Sequence, residues 1–62
     1  MSRLLAAASL GAETWQQVWY GLITEQEGVA SNPWPLTDRR GYAAWRKGYE
    51  EARERTIREF PI

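Results

Sequence analysis

Between Glu13 and Glu27 the apolar residues Trp15, Val18, Trp19, Leu22 and Ile23 recur at spacings of three and four, the period of one helix face. Thr14 followed by Gln17 reads as a capping box for that helix, and Gly28 as the left-handed residue that closes it. A second seam, Tyr42, Trp45, Tyr49, Ala52 and Thr56, repeats at the same spacing. Gly41, Ala44 and Gly48 lie on its flank, where small side chains let another helix come close. Between the two runs "GVASNPWPLT". Each proline pushes the residue before it out of the helical region and withholds a backbone donor, which predicts a rigid loop. Thr37 is read as the cap of the second helix, with Asp38 in the first turn where a negative charge suits the helix dipole. Leu4 to Leu10 would add a turn or two of helix before a break or bend at Gly11.

The pattern thus predicts an all-α fold in a single small helical domain over 1–62. Its parts are an N-terminal segment at 1–12, a helix at 13–28, a Pro loop at 29–37 and a helix at 38–60. The two helices are expected as an antiparallel two-helix hairpin across the Pro-rich turn, with the short N-terminal helical segment packed on them.

Composition narrows the chemistry. The chain has 62 residues and neither Cys nor His. Disulfides, the usual zinc ligand sets, thiol nucleophiles and the neutral-pH acid/base residue are therefore missing, and neither a conventional enzyme nor a metal or cofactor is expected. At this size a single core is marginal, so dimerisation or docking on a larger surface would add stability. The eight bases and eight acids cancel. Their distribution is slightly uneven: residues 1–37 carry Arg3 against Glu13, Glu25 and Glu27, whereas 38–62 carry seven bases against five acids. "MSRLLAAASLGA" superficially resembles a signal peptide, but its apolar run is short and alanine-rich, and no stretch approaches a membrane span of about 20 residues. A cytoplasmic location without a membrane partner is the expectation.

The candidate chemistry lies in the second half. The carboxylates, mostly beside bases on polar faces, form no ligand motif, the hydroxyls lack a His to activate them, and no glycine loop has nucleotide-binding spacing. No catalytic residue is expected. Arg39, Arg46 and Arg53 are seven apart and share one face of the second helix, while Arg40 and Lys47 lie on an adjoining strip. Arg39 and Arg40 also sit where the helix dipole disfavours cations. The plain reading is a solvated face neutralised by Glu50, Glu51 and Glu54, with Glu51–Arg55 and Glu54–Arg58 as i,i+4 pairs. The functional reading is that these arginine forks grip phosphate or carboxylate, with Trp34 or Tyr42 as a stacking neighbour. Trp15, Trp19, Trp45 and Tyr49 read as core. Trp34, between two prolines, either plugs the helix pair or stands out as an anchor.

The stretches "YGLITEQEG", "NPWP" and "WRKGYEEA" together resemble the ribosome modulation factor family. That family pairs a glycine-punctuated helix with an Asn-Pro-aromatic or Cys-Pro-aromatic turn and a Trp-x-x-Gly-aromatic-x-x-Ala helix. The matching positions are Gly21, Gly28, Asn32, Pro33, Trp34, Trp45, Gly48, Tyr49 and Ala52. The resemblance covers roughly Tyr20 to Arg53 and implies a non-enzymatic two-helix protein that docks on the small ribosomal subunit and promotes translational dormancy. Family members are strongly basic toward the N-terminus, whereas here that part is apolar and aromatic. An alternative expectation follows from this departure: a phage- or mobile-element-encoded inhibitor that blocks a host protein complex, such as a CRISPR surveillance complex.

Overall fold

The computed structural model describes residues 3–60, and expectations placed on residues 1, 2, 61 and 62 lie outside them. Among the described residues there are three helices: α1 (Arg3–Trp19), α2 (Glu25–Ala30) and α3 (Arg39–Glu59). The all-α class stands. The boundaries of the first two helices and the pairing differ from the expectation.

Helix α1 runs through Gly11 without a break. A glycine inside a helix costs about 1 kcal/mol relative to alanine, yet this one lies against the backbone of Trp45 and Tyr49, where any Cβ would overlap the Trp45 carbonyl. The close approach of α3 uses the missing side chain. Thr14 is mid-helix rather than a cap, its hydroxyl donating back to the Leu10 carbonyl at 2.9 Å. The helix closes at Gly21, not at Gly28. With φ at 80°, Gly21 donates its N–H to the Val18 carbonyl at 3.0 Å while Leu22 donates to Gln17 at 2.9 Å, the paired bonds of a Schellman ending. The expected helix over 13–28 is thus two pieces.

The capping box belongs to α2. The Thr24 hydroxyl accepts from the Glu27 N–H and the Glu27 carboxylate accepts from the Thr24 N–H, each at 3.1 Å. Gly28 is buried inside this short helix, where a Cβ would come within 2.8 Å of the Val18 side chain and 3.2 Å of the Tyr49 hydroxyl. At α3 the cap is Asp38 rather than Thr37, because the Asp38 carboxylate accepts from the Gly41 N–H at 3.2 Å and also pairs with Arg3 at 2.9 Å.

The main packing is α1 on α3, and the two run parallel. Arg3 meets Asp38, Ala8 lies against Gly48, Gly11 against Trp45 and Tyr49, Trp15 bonds Thr56 and Trp19 stacks on Phe60. The antiparallel hairpin across the Pro-rich turn is replaced for a geometric reason. To start α3 beside the start of α1, the chain must retrace about 24 Å of helix, of which six-residue α2 covers only about 9 Å. Extended chain, at up to about 3.4 Å per residue, must make up the rest. Pro33 and Pro35 keep the residues before them out of the helical region, and the segment returns as a strap that ends in a turn from Pro35 to Asp38.

The core is small: Ala7, Trp15, Trp45 and Tyr49 are buried, with Val18, Trp34, Ala44 and Ala52 packed around them. Trp45 stacks on Tyr49 with ring centroids 5.5 Å apart, and Trp15 meets Tyr49 edge-on at 5.7 Å. The Trp15 indole N–H donates to the Thr56 hydroxyl at 2.9 Å, which in turn donates to the Ala52 carbonyl at 3.0 Å. Trp19 departs from the expected core. It is 46 % exposed and stacked on Phe60, because α1 and α3 both end there and leave one side of the pair uncovered.

Candidate functional site

The five bases of the sequence reading occupy two adjoining strips of α3. Successive helix residues are about 100° apart, so the strip of Arg39, Arg46 and Arg53 and the strip of Arg40 and Lys47 face different directions. Three of the five also have acidic partners. Arg46 bonds Glu50 at 3.1 Å, Lys47 meets Glu51 at 3.9 Å, and Arg53 reaches across to Glu25 on α2 at 2.9 Å. The pairs expected at Glu51–Arg55 and Glu54–Arg58 are not made. Exposed i,i+4 pairs are worth only a few tenths of a kcal/mol, so which neighbour a carboxylate chooses is weakly determined. Arg39 and Arg40 have no acidic partner among the described residues. They sit beside Arg3 and Asp38, where the positive ends of both long helices lie together.

Trp34 turns inward. Its indole lies so tightly on Gly41 that a Cβ there would overlap the ring, and Asn32 fixes the strap on either side. The Asn32 carbonyl oxygen accepts from the Trp34 N–H at 3.0 Å, and its amide donates to the Tyr42 carbonyl at 3.3 Å. Trp34 is therefore a plug at the start of α3. The positions that carry the ribosome modulation factor resemblance are largely used in this way: Gly21 ends α1, Gly28 and Gly48 admit close contacts, Asn32 and Trp34 seat the strap, and Trp45, Tyr49 and Ala52 build the core.

Two features remain that the seam pattern did not single out. One is an apolar end. Trp19, Tyr20, Leu22, Ile57 and Phe60 are exposed, Tyr20 and Leu22 at 72 %, and the Trp19–Phe60 stack lies among them. The Schellman signal at Gly21 would have revealed this end, because a helix stopping there leaves Leu22 and Ile23 off the seam. The other is an open groove of about 700 Å³ between α2 and α3, with Val29, Ala30, Tyr42 and Tyr49 along it and Glu25, Glu50, Glu54 and Arg53 among its polar lining.

Tyr49 is the chemically unusual residue of that groove. It is 4 % exposed, and its hydroxyl is the one buried side-chain polar atom without a hydrogen-bond partner among the described residues. Burial, with Glu25 nearby, raises its pKa above the ordinary tyrosine value, and Arg53 opposes that shift. The Arg53 guanidinium is held protonated still more firmly than usual by its hydrogen bond to Glu25, and it stands 6.0 Å from the Trp15 ring.

No family model matches the chain, and no curated protein or solved structure matches it either.

Proposed function

We propose that this chain is a non-catalytic docking protein that modulates a larger complex by covering part of a protein surface, with the Trp19–Phe60 end as its anchor. The observation that carries this reading is the exposed aromatic and aliphatic cluster at the shared C-terminal end of α1 and α3, with only four buried core side chains among the described residues. Clustered apolar exposure of this kind marks interaction sites on small soluble proteins, and aromatic anchors dominate such interfaces. The zero net charge fits a protein surface better than a nucleic-acid one.

A second reading, docking on a ribosome-like ribonucleoprotein, is favoured by one observation. Arg39 and Arg40 are exposed and unpaired among the described residues at an end where two helix dipoles add positive potential.

Sedimentation of the chain in cell lysate separates the two. Under the protein-docking reading it migrates with a large complex after nuclease treatment and at raised salt, and a Trp19→Ser/Phe60→Ser variant migrates alone. Migration that disappears with nuclease, with salt or with Arg39→Glu/Arg40→Glu replaces it with the ribonucleoprotein reading, since phosphate contacts are lost as salt rises. A purified chain that dimerises through Trp19 and Phe60 and migrates with nothing else would sink both.

A further inference from the structure

The two long helices show solvent different chemistry. Acids and bases alternate along α3, whereas α1 has two charged residues, Arg3 and Glu13. Residues 4–12 between them are uncharged on every side, yet Leu5, Ala6, Ser9 and Leu10 lie open. A helix segment without a charged face is normally packed on more than one side.

The open face carries a pattern that is the same in both chain directions. Arg3, Ala6, Leu10 and Glu13 are spaced by three, four and three, so at about 100° per residue they fall within an arc of about 80°. All four are exposed, Leu10 at 43 %. Ala8 is the midpoint of both Arg3 with Glu13 and Ala6 with Leu10. Two copies of α1 crossing antiparallel at Ala8 would set each Leu10 over the other copy's Ala6, a large side chain against a small one. Each Arg3 would meet the other copy's Glu13. A parallel crossing would oppose Arg3 to Arg3 and Glu13 to Glu13, which repel.

The charges this pairing uses are available. Glu13 has no ion-pair partner among the described residues. Arg3 gives one nitrogen to Asp38 at 2.9 Å, its side chain stays 57 % exposed, and a guanidinium has five N–H donors. That pole also stays positive, since Arg3, Arg39 and Arg40 stand against Asp38 alone and the start of α1 adds its dipole.

Going beyond the docking reading above, we propose that the chain forms an antiparallel two-fold dimer through Arg3, Ala6, Leu10 and Glu13, a second copy of the chain being the occupant of this face. A two-fold interface needs a patch that complements itself, and this strip does so in both size and charge. The contact spans about 16 Å of helix, so the dimer is small and reversible. Antiparallel helices send the two Trp19–Phe60 ends to opposite poles, which gives the dimer two docking anchors.

Sedimentation equilibrium of the purified full chain tests this. The expected result is a reversible dimer between about 10 μM and 1 mM protein. Arg3→Glu and Glu13→Arg should each weaken it about tenfold, because each turns two attractions into repulsions, and the double variant Arg3→Glu/Glu13→Arg should return to within about threefold of the parent. Leu10→Gln should weaken it as well. These positions are exposed, and recovery in the double variant separates lost contact from lost fold. A monomer at every concentration, single variants that dimerise like the parent, or a double variant no better than the singles overturns the inference. So does a dimer abolished by Trp19→Ser/Phe60→Ser and untouched by Arg3→Glu, which places the contact at the apolar end. If the chain migrates with a protein complex but is monomeric when pure, only the dimer inference falls. If it dimerises as described but migrates with no complex, only the docking reading falls.

Discussion

At the scale of single residues, Tyr49 carries the most information. Its ring is central to the core, between Trp15 and Trp45, but its hydroxyl contributes no hydrogen bond within the described residues. Leaving a buried hydroxyl unpaired costs about 1 to 3 kcal/mol, so Tyr49→Phe is expected to leave thermal stability unchanged or raise it by about 1 kcal/mol, as read by denaturant unfolding. The same residue makes a pH prediction. Its pKa is raised on folding, so below the unfolded value near 10.0 both states hold the proton and this contribution is fully present. Above that value the unfolded chain releases the proton while the folded chain retains it, and stability falls as pH rises. Unfolding curves collected from neutral to strongly alkaline pH should show this loss in the parent and a smaller one in Tyr49→Phe. Equal losses in the two proteins would locate the titrating group elsewhere. Trp15 is the contrasting case, because its N–H has the Thr56 hydroxyl as partner. Thr56→Val should therefore cost about 1 to 2 kcal/mol by orphaning a buried donor.

At the scale of elements, glycines decide how α1 and α3 meet. A Cβ at Gly48 would overlap the Ala8 carbonyl, and one at Gly11 the Trp45 carbonyl, so each helix presses its backbone on the other. Alanine is the better helix former by about 1 kcal/mol, yet Gly48→Ala should destabilise by about 1 to 3 kcal/mol, because rigid backbone must move apart. Gly21→Ala has free space around its Cβ and should cost only about 1 kcal/mol, from the positive φ alone. Equal effects at the two positions in melting experiments would remove the distinction between packing and backbone conformation. The same glycines mark how far the sequence could be read. The α3 seam is legible because Trp45, Tyr49, Ala52 and Thr56 repeat cleanly, and the close helix approach at Gly48 follows from its flank position, whereas Gly41 admits the Trp34 ring of the strap and not a helix. What the periodicity did not reveal was the break at Gly21. Trp15, Val18, Trp19, Leu22 and Ile23 keep helical spacing across it, and spacing alone does not distinguish one helix from a helix followed by a turn. Missing that break displaced the cap from Thr24 to Thr14 and hid both the α2 groove and the exposed apolar end. For the basic cluster, the spacing shows that residues seven apart share a face, but it gives no information about acids that reach that face from another element, as Glu25 reaches Arg53.

At the scale of the molecule, the parallel helix pair gives the 36 Å long axis two unlike ends. Arg3, Arg39, Arg40 and Asp38 gather at one, and Trp19, Tyr20, Ile57 and Phe60 at the other. An antiparallel pair would have put one helix start and one helix end at each pole and mixed these characters. The parallel arrangement depends on the strap of residues 20–38, and the strap is secured unevenly. Its second half is seated by Trp34 on Gly41 and by the Asn32 bonds, whereas α2 meets α3 through the buried Gly28 against Tyr49 and the exposed Glu25–Arg53 pair. Elements with few buried contacts open locally at low free energy, so α2 should open before the helix pair separates. Native-state hydrogen exchange should find the Gly28 amide, although bonded to the Thr24 carbonyl at 2.9 Å, exchanging far faster than amides near Gly11 and Gly48. Because an exposed ion pair contributes little to global stability, Glu25→Gln should speed exchange in α2 while shifting the melting temperature less than Gly48→Ala does. Uniform slowing or uniform acceleration across all three helices would mean that α2 unfolds only with the whole molecule. In that case the α2–α3 groove is a fixed shape.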